Sequence, residues 1–179
     1  MKGFTREHTE FSLCGLNCLI CPMQVGGYCP GCGGGPGNQS CAIARCSLDQ
    51  GGYTFCSDCS SYPCARYDEF DAADSFVPHS RRAADLDRAR EVGLNVYIDE
   101  LQAKRAILDK LLANYNDGRR KTFYCAAVYL LPLEDLKSVM ELLESQPECS
   151  VKERAAAAVK LMQGIADDRG ICLKLNKKK

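Results

Sequence analysis

Ten of the thirteen cysteines in this 179-residue chain lie between Cys14 and Cys64. In three pairs only two residues separate the cysteines: Cys18/Cys21, Cys29/Cys32 and Cys56/Cys59. This spacing lets one tight turn direct both sulfur atoms at a single ion. The segment is therefore predicted to bind metal, and the candidate ligands are Cys14, Cys18, Cys21, Cys29, Cys32, Cys41, Cys46, Cys56, Cys59 and Cys64.

A disulfide framework is the alternative explanation for so many cysteines. The N-terminal sequence MKGFTREHTE lacks the apolar segment of a secretory signal, so we expect a cytoplasmic protein. Thiols stay reduced in that compartment, and the paired cysteines are too close to bridge each other comfortably. Metal binding is therefore favoured over disulfides.

The segment from Tyr28 to Gly33, YCPGCG, has the pattern of a metal knuckle. Pro30 fixes one backbone angle of the turn, and Gly33 tolerates a positive φ after the second cysteine. Farther along, Cys41 and Cys46 are spaced to lie on a short helix capped by Ser40.

Zinc is the favoured metal, because the knuckle suits tetrahedral coordination by sulfur. Ten cysteines fill two four-thiolate sites and leave two sulfurs over, so we expect about two zinc ions. An iron–sulfur cluster remains an open alternative, since it uses the same ligands. His8 and His79, the only histidines, are interpreted as ordinary surface residues rather than ligands.

The chain divides into two parts by composition. Residues 11–66 are rich in glycine and proline, read as loops and turns, and offer little apolar side chain to bury. Metal cross-links are the usual means of ordering such a segment. We therefore predict a cysteine-rich metal-binding module over residues 1–75 and a helical domain over residues 76–179.

Helical periodicity begins after residue 78. Helices are predicted over 80–93, 96–115 and 119–131, with a fourth whose first turn contains Pro132. A fifth starts at Ser150, where Ser150 and Glu153 form a capping box, and a short strand or extended arm follows Gly170. The predicted fold class is mainly α, with an irregular metal-stabilised N-terminal module packed on four or five helices.

Other features argue against several functions. The formal net charge is zero, so nucleic-acid binding is not expected. No apolar run is long enough for a membrane span. Nucleotide-binding and hydrolase motifs do not occur, and histidine is scarce, so we lean away from an enzyme. Cys125, within FYCAAVYLL, is predicted to be a buried apolar residue.

Four strings of the sequence resemble a known family: CGLNCLICP at 14–22, YCPGCGG at 28–34, CAIARC at 41–46 and FCSDCSSYPC at 55–64. They look like the prokaryotic domain-of-unknown-function family 3795, and the resemblance covers residues 11–70. It implies metal binding through the cysteines and no defined activity. Because many members of that family come from anaerobes, the resemblance also keeps the iron–sulfur alternative open.

Three functions are compatible with these features. The favoured one is a structural metal in an interaction or scaffold module with an unknown protein partner, because saturated thiolate sites leave no open coordination position. An iron–sulfur protein for electron transfer or redox sensing is the second. An enzyme with its site between the two parts is the third.

Overall fold

The structure, a computed structural model, describes residues 3–35 and 41–177. In these ranges the chain is mainly helical and forms no strand, as the predicted fold class requires. None of the described helices has the length and apolar character of a membrane span. The α-helices are α1 (Pro22–Val25), α2 (Ala42–Asp49), α3 (Arg82–Val92), α4 (Leu94–Asn114), α5 (Lys121–Leu130), α6 (Leu133–Glu144) and α7 (Val151–Asp168). Short 3-10 helices occur at Cys18–Ile20, Cys56–Asp58, Ala65–Tyr67 and Phe70–Ala72.

The five helices after residue 80 follow the predicted periodicity closely. The capping box is present, since the Ser150 side chain accepts from Glu153 N and the Glu153 carboxylate accepts from Ser150 N at 3.0 Å. Pro132, predicted within the first turn of α6, is instead its N-cap, with an extended backbone. The C-terminal segment is an arm rather than a strand, and Asn176 O accepts a hydrogen bond from Asp74 N at 2.7 Å.

The largest apolar cluster lies among α4, α5, α6 and α7. Leu108, Leu111 and Val128 are fully buried there, together with Leu136 and Met162. Burial of such side chains contributes about 1.5–3 kcal/mol each, so this cluster is the main stabilising element of the helical part.

The N-terminal module contributes more apolar surface than the sequence suggested. Ile20 is fully buried in the cluster of the helical part. Phe11 and Phe55 form a second cluster with residues of α3 and α4, among them Leu86 and Tyr97. The expectation that residues 11–66 have little to bury is therefore wrong, because their few large apolar side chains pack against helices that are distant in sequence. Two clusters cross the predicted boundary between residues 75 and 76.

Phe11→Ala tests whether the two parts share their stability. Phe11 is fully buried, and its ring lies 4.9 Å from that of Tyr97 and 5.2 Å from that of Phe55. Removing the ring should lower the free energy of unfolding by about 3–5 kcal/mol, because a large cavity is left. Urea unfolding followed by helical circular dichroism measures this loss.

Phe76→Ala is the matched control. Phe76 is 56 % exposed, so its truncation should change the free energy of unfolding by less than about 0.5 kcal/mol. If Phe11→Ala leaves the unfolding of the helices unchanged, the second cluster does not couple the two parts.

Candidate metal-binding site

The structure separates the ten candidate cysteines into two groups. The first group consists of Cys14, Cys18, Cys21, Cys29, Cys32 and Cys41. All of these except Cys21 line a cavity of about 190 Å³. Cys21 interacts electrostatically with Cys18 and Cys29. The second group lines a smaller cavity of about 40 Å³ and consists of Cys46, Cys56, Cys59 and Cys64.

The knuckle turn of the first group is held against the N-terminal segment. Cys32 N donates to Thr9 O at 3.2 Å, and Arg6 N donates to Gly33 O at 3.4 Å. Gly33 has the positive φ that the sequence predicted, at 82°. A Cβ there would also lie only 2.9 Å from Arg6 N, so glycine is required both by the turn and by the close approach.

The second group is assembled from three short elements. Cys46 lies on α2, and Cys56 begins the 3-10 helix Cys56–Asp58. The Asp58 carboxylate accepts from Phe55 N at 2.9 Å and caps this turn. Cys59 N then donates to Cys56 O at 3.1 Å, so both cysteines are fixed on one tight turn. Cys64 completes the group at the start of the 3-10 helix Ala65–Tyr67.

Tyr67 is a member of the second cavity that sequence reasoning missed. The residue is 7 % exposed, and its hydroxyl has no hydrogen-bond partner of good geometry in the described part of the chain. Electrostatically the hydroxyl interacts with the Cys56 thiol. The sequence spacing between Cys64 and Tyr67 is consistent with this position in the cavity. Tyr67 follows Cys64 by three residues, and side chains three residues apart align on a 3-10 helix. A buried hydroxyl beside a thiol is suited to stabilise a thiolate.

The electrostatics of the thiols favour the neutral form in the absence of a cation. Burial raises the pKa of Cys14 to about 12 and that of Cys18 well above its usual value. Burial also raises the pKa of Cys21 and Cys56, although the backbone amides of Met23 and Gln24 oppose the effect at Cys21. A bound cation reverses this balance, because its charge deprotonates a coordinating thiol.

Cysteines that lie close together do not by themselves form the coordination sphere of a metal ion. Within residues 3–35 and 41–177, no three Cys, His, Asp or Glu side chains are arranged as ligands of a common ion. All thirteen cysteines lie in these ranges, and they form no disulfide bond there. The donor set nevertheless fits a thiophilic metal, because the described residues around the second cavity provide four thiols and no carboxylate or imidazole.

The remaining sequence candidates lie outside both groups. Both ring nitrogens of His79 are occupied, Nδ1 with Phe70 O and Nε2 with Ser75 Oγ, each at 2.9 Å. His79 is 5 % exposed, so its interpretation as a surface residue is wrong: it is a buried structural residue. His8 is half-buried and lines neither cysteine cavity. Ser40, the predicted cap of α2, lies outside the described residues, and Cys41 is the N-cap.

Cys125 is buried on α5, as predicted, at 3 % exposure. Burial raises its pKa to about 12, which keeps the thiol neutral. Cys149 and Cys172 are exposed. Of these three, Cys125 is the one whose packing matters for stability.

The chain matches no protein-family model, and no curated protein or solved structure is significantly similar to it. The resemblance to family 3795 therefore stays a prediction. Any function has to be inferred from the arrangement of the chain's own residues.

Cys125→Ser should lower the free energy of unfolding by about 1–3 kcal/mol, because a hydroxyl replaces a thiol in an apolar environment. Chemical denaturation measures the change. Cys172→Ser, at an exposed position, is the control and should be neutral within about 0.5 kcal/mol. Equal stability of both variants would show that the Cys125 site is not apolar.

Proposed function

We propose that this protein binds zinc through its two cysteine groups and that the metal is structural. The observation that carries the proposal is the second group, in which four thiols and no other metal ligand of the described chain surround one cavity. Four thiolates are the complete complement of a structural zinc site, with zinc–sulfur distances of about 2.3 Å.

A structural role follows because four thiolates occupy every coordination position of the zinc ion. An ion that already has four thiolate ligands lacks an open position for water or substrate, so it cross-links the chain rather than activating a ligand. The cross-link joins α2, which carries Cys46, to the turns that carry Cys59 and Cys64. The turns that carry Cys59 and Cys64 lie outside the α-helices, so a metal would supply much of their order.

The first group supports a second ion. Its six thiols exceed the four of one tetrahedral site, so two are left as free thiols or as alternative ligands. Cys18 and Cys21 together with Cys29 and Cys32 form the conventional pair of two-residue-spaced turns. Cys14 and Cys41 interact with each other beside them. The expected total is therefore about two zinc ions per chain.

We further propose that the metal-bound module is an interaction or scaffold module. Tyr28 directly precedes the knuckle at Cys29, and it is 72 % exposed. An exposed tyrosine on a rigid turn provides a large contact area at low entropic cost, and tyrosine is enriched in protein interfaces. The proposed partner is therefore another protein.

Metal analysis of single-cysteine variants tests the proposal. Protein purified with and without oxygen should contain about two zinc ions per chain. Cys59→Ser and Cys29→Ser should each lower the content by about one ion, since a hydroxyl is a poor anion at neutral pH. Each should also make the module sensitive to protease, because the binding energy of a structural site, on the order of 10 kcal/mol, is folding energy.

Cys125→Ser is the matched control and should keep its full metal content. Loss of metal from Cys125→Ser with retention in Cys29→Ser would show that the proposed ligand set is wrong. A brown protein that contains iron and acid-labile sulfide would replace zinc with the iron–sulfur alternative.

Tyr67→Phe tests the role of the buried hydroxyl. The variant should bind zinc at the second group about 10-fold more weakly, because a donor to a ligating thiolate is lost. Competition with a chromophoric chelator measures the affinity. Tyr62→Phe is a suitable control, since Tyr62 lines the same cavity but its hydroxyl accepts from Arg82 Nη1 at 3.1 Å. Equal affinities of the two variants would remove Tyr67 from the site.

A further inference from the structure

A larger cavity of about 400 Å³ lies apart from both cysteine groups. It is bordered by α3, α4 and the junction between α5 and α6, and cysteines are not among the described residues that line it. Its walls combine charged groups with a leucine-rich face. A cavity of this size with a few convergent polar groups is typical of a small-molecule site.

One wall of the cavity is a buried hydrogen-bonded network. Asn17 Nδ2 donates to Asp85 Oδ2 at 3.0 Å, and Tyr97 Oη donates to Asn17 Oδ1 at 2.9 Å. Asn17, Asp85 and Tyr97 are each at most 4 % exposed. The second carboxylate oxygen, Asp85 Oδ1, lies 3.6 Å from Arg81 Nε, beyond a hydrogen bond. Asp85 therefore keeps acceptor capacity on a buried carboxylate that Asn17 holds in place.

A partly buried ammonium group, that of Lys104, also lines the cavity. Lys104 Nζ donates to Leu131 O at 2.7 Å and to Tyr129 O at 3.3 Å, at the C-terminal end of α5. An ammonium group has three donors, so one remains for a ligand. Burial lowers the pKa of Lys104 to about 8, which leaves it mainly protonated at neutral pH. Asp85 interacts with it electrostatically, and burial raises the pKa of that carboxyl to about 6.

The first turn of α6 combines free backbone N–H groups with two carboxylates, those of Glu134 and Asp135. Pro132, Leu133 and Glu134 border the cavity. Pro132 is the N-cap, and in the described structure α6 has no side-chain cap. The backbone N–H groups at a helix N-terminus carry partial positive charge and attract anions.

When the ion pairs of the cavity residues are set aside, one positive charge remains, that of Lys104. Arg88 pairs with Glu100, and Glu134 pairs with Lys137 outside the cavity. Arg81 pairs with Asp85, and Lys104 forms no ion pair within the described residues. The charge complement is a monoanion, and the apolar wall formed by Leu101, Leu130 and Leu131 suits a carbon skeleton.

We propose that this cavity binds a small 2-hydroxycarboxylate, whose carboxylate faces Lys104, Arg81 and the first turn of α6 and whose hydroxyl donates to Asp85. The inference goes beyond the zinc proposal and does not depend on it, because the ligand contacts none of the thiols.

Lactate and propionate are matched probes, since they have the same charge and skeleton and differ by the 2-hydroxyl. Each is titrated into the full ¹⁵N-labelled chain, with amide shifts as the readout. Racemic lactate should shift the signals of Leu133, Glu134 and Lys104 with a Kd on the order of 1 mM. Propionate should shift the same signals and bind about tenfold more weakly, because it cannot donate to the carboxylate.

Two substitutions test the contact to the ligand's carboxylate and the contact to its hydroxyl separately. Arg81→Gln, at a position partly open to solvent, should weaken both probes about tenfold. Asp85→Asn should abolish the preference for lactate, while propionate binds at least as well, because the repelling carboxylate is gone. Arg90→Gln, on the exposed side of α3, is the control and should bind both probes as the wild type does.

Equal affinities of the wild type for lactate and propionate would overturn the proposal. So would shifts confined to residues outside the cavity, or shifts that Arg81→Gln leaves unchanged. Because all variants keep the ten cysteines, their metal content serves as an independent check that the module is intact.

Discussion

The packing of the segment from Phe11 to Ile20 against α3 and α4 positions everything else in the N-terminal module. Phe11 lies against Tyr97, and Ile20 enters the cluster of the helical part. Gly15 makes the closest approach, since a Cβ there would lie 2.4 Å from Arg82 O. Arg6 reinforces the segment by donating to Phe11 O at 2.7 Å and to Thr54 O at 2.9 Å. The irregular module is thereby fixed on α3 and α4, and this packing also restricts the positions of its thiols.

The same segment separates two chemically different sites. Asn17 turns toward the polar cavity, where it contacts Asp85 and Tyr97. Its neighbour Cys18 turns toward the thiols of the first group. A thiolate–metal cluster and a hydroxyacid-binding cavity would thus share one short stretch of backbone. Asn17 is held by its own hydrogen bonds to Asp85 and Tyr97, so the cavity does not require metal at the neighbouring thiols.

Buried polar groups are costly, and this molecule retains several of them together. The Asp85 carboxyl and the Lys104 ammonium are both withdrawn from water, and each departs from its usual pKa for that reason. The Tyr67 hydroxyl is buried without a good partner. Burial of such groups lowers stability unless hydrogen bonds, a ligand or an ion compensate for the lost contact with water. Their positions in the two cavities are the basis for assigning those cavities a function.

The sequence alone determined the features that depend on neighbours along the chain. Helix periodicity, the capping box at Ser150 and the positive φ of Gly33 follow from local sterics and local hydrogen bonds. The clustering of the cysteines and their two-residue spacings are equally local. Tertiary structure alone decided how the ten thiols divide into groups of six and four, since that depends on the paths of loops between them. It also brought Asn17 to Asp85 and Tyr97 and buried His79, because such contacts form only when segments far apart in sequence pack together.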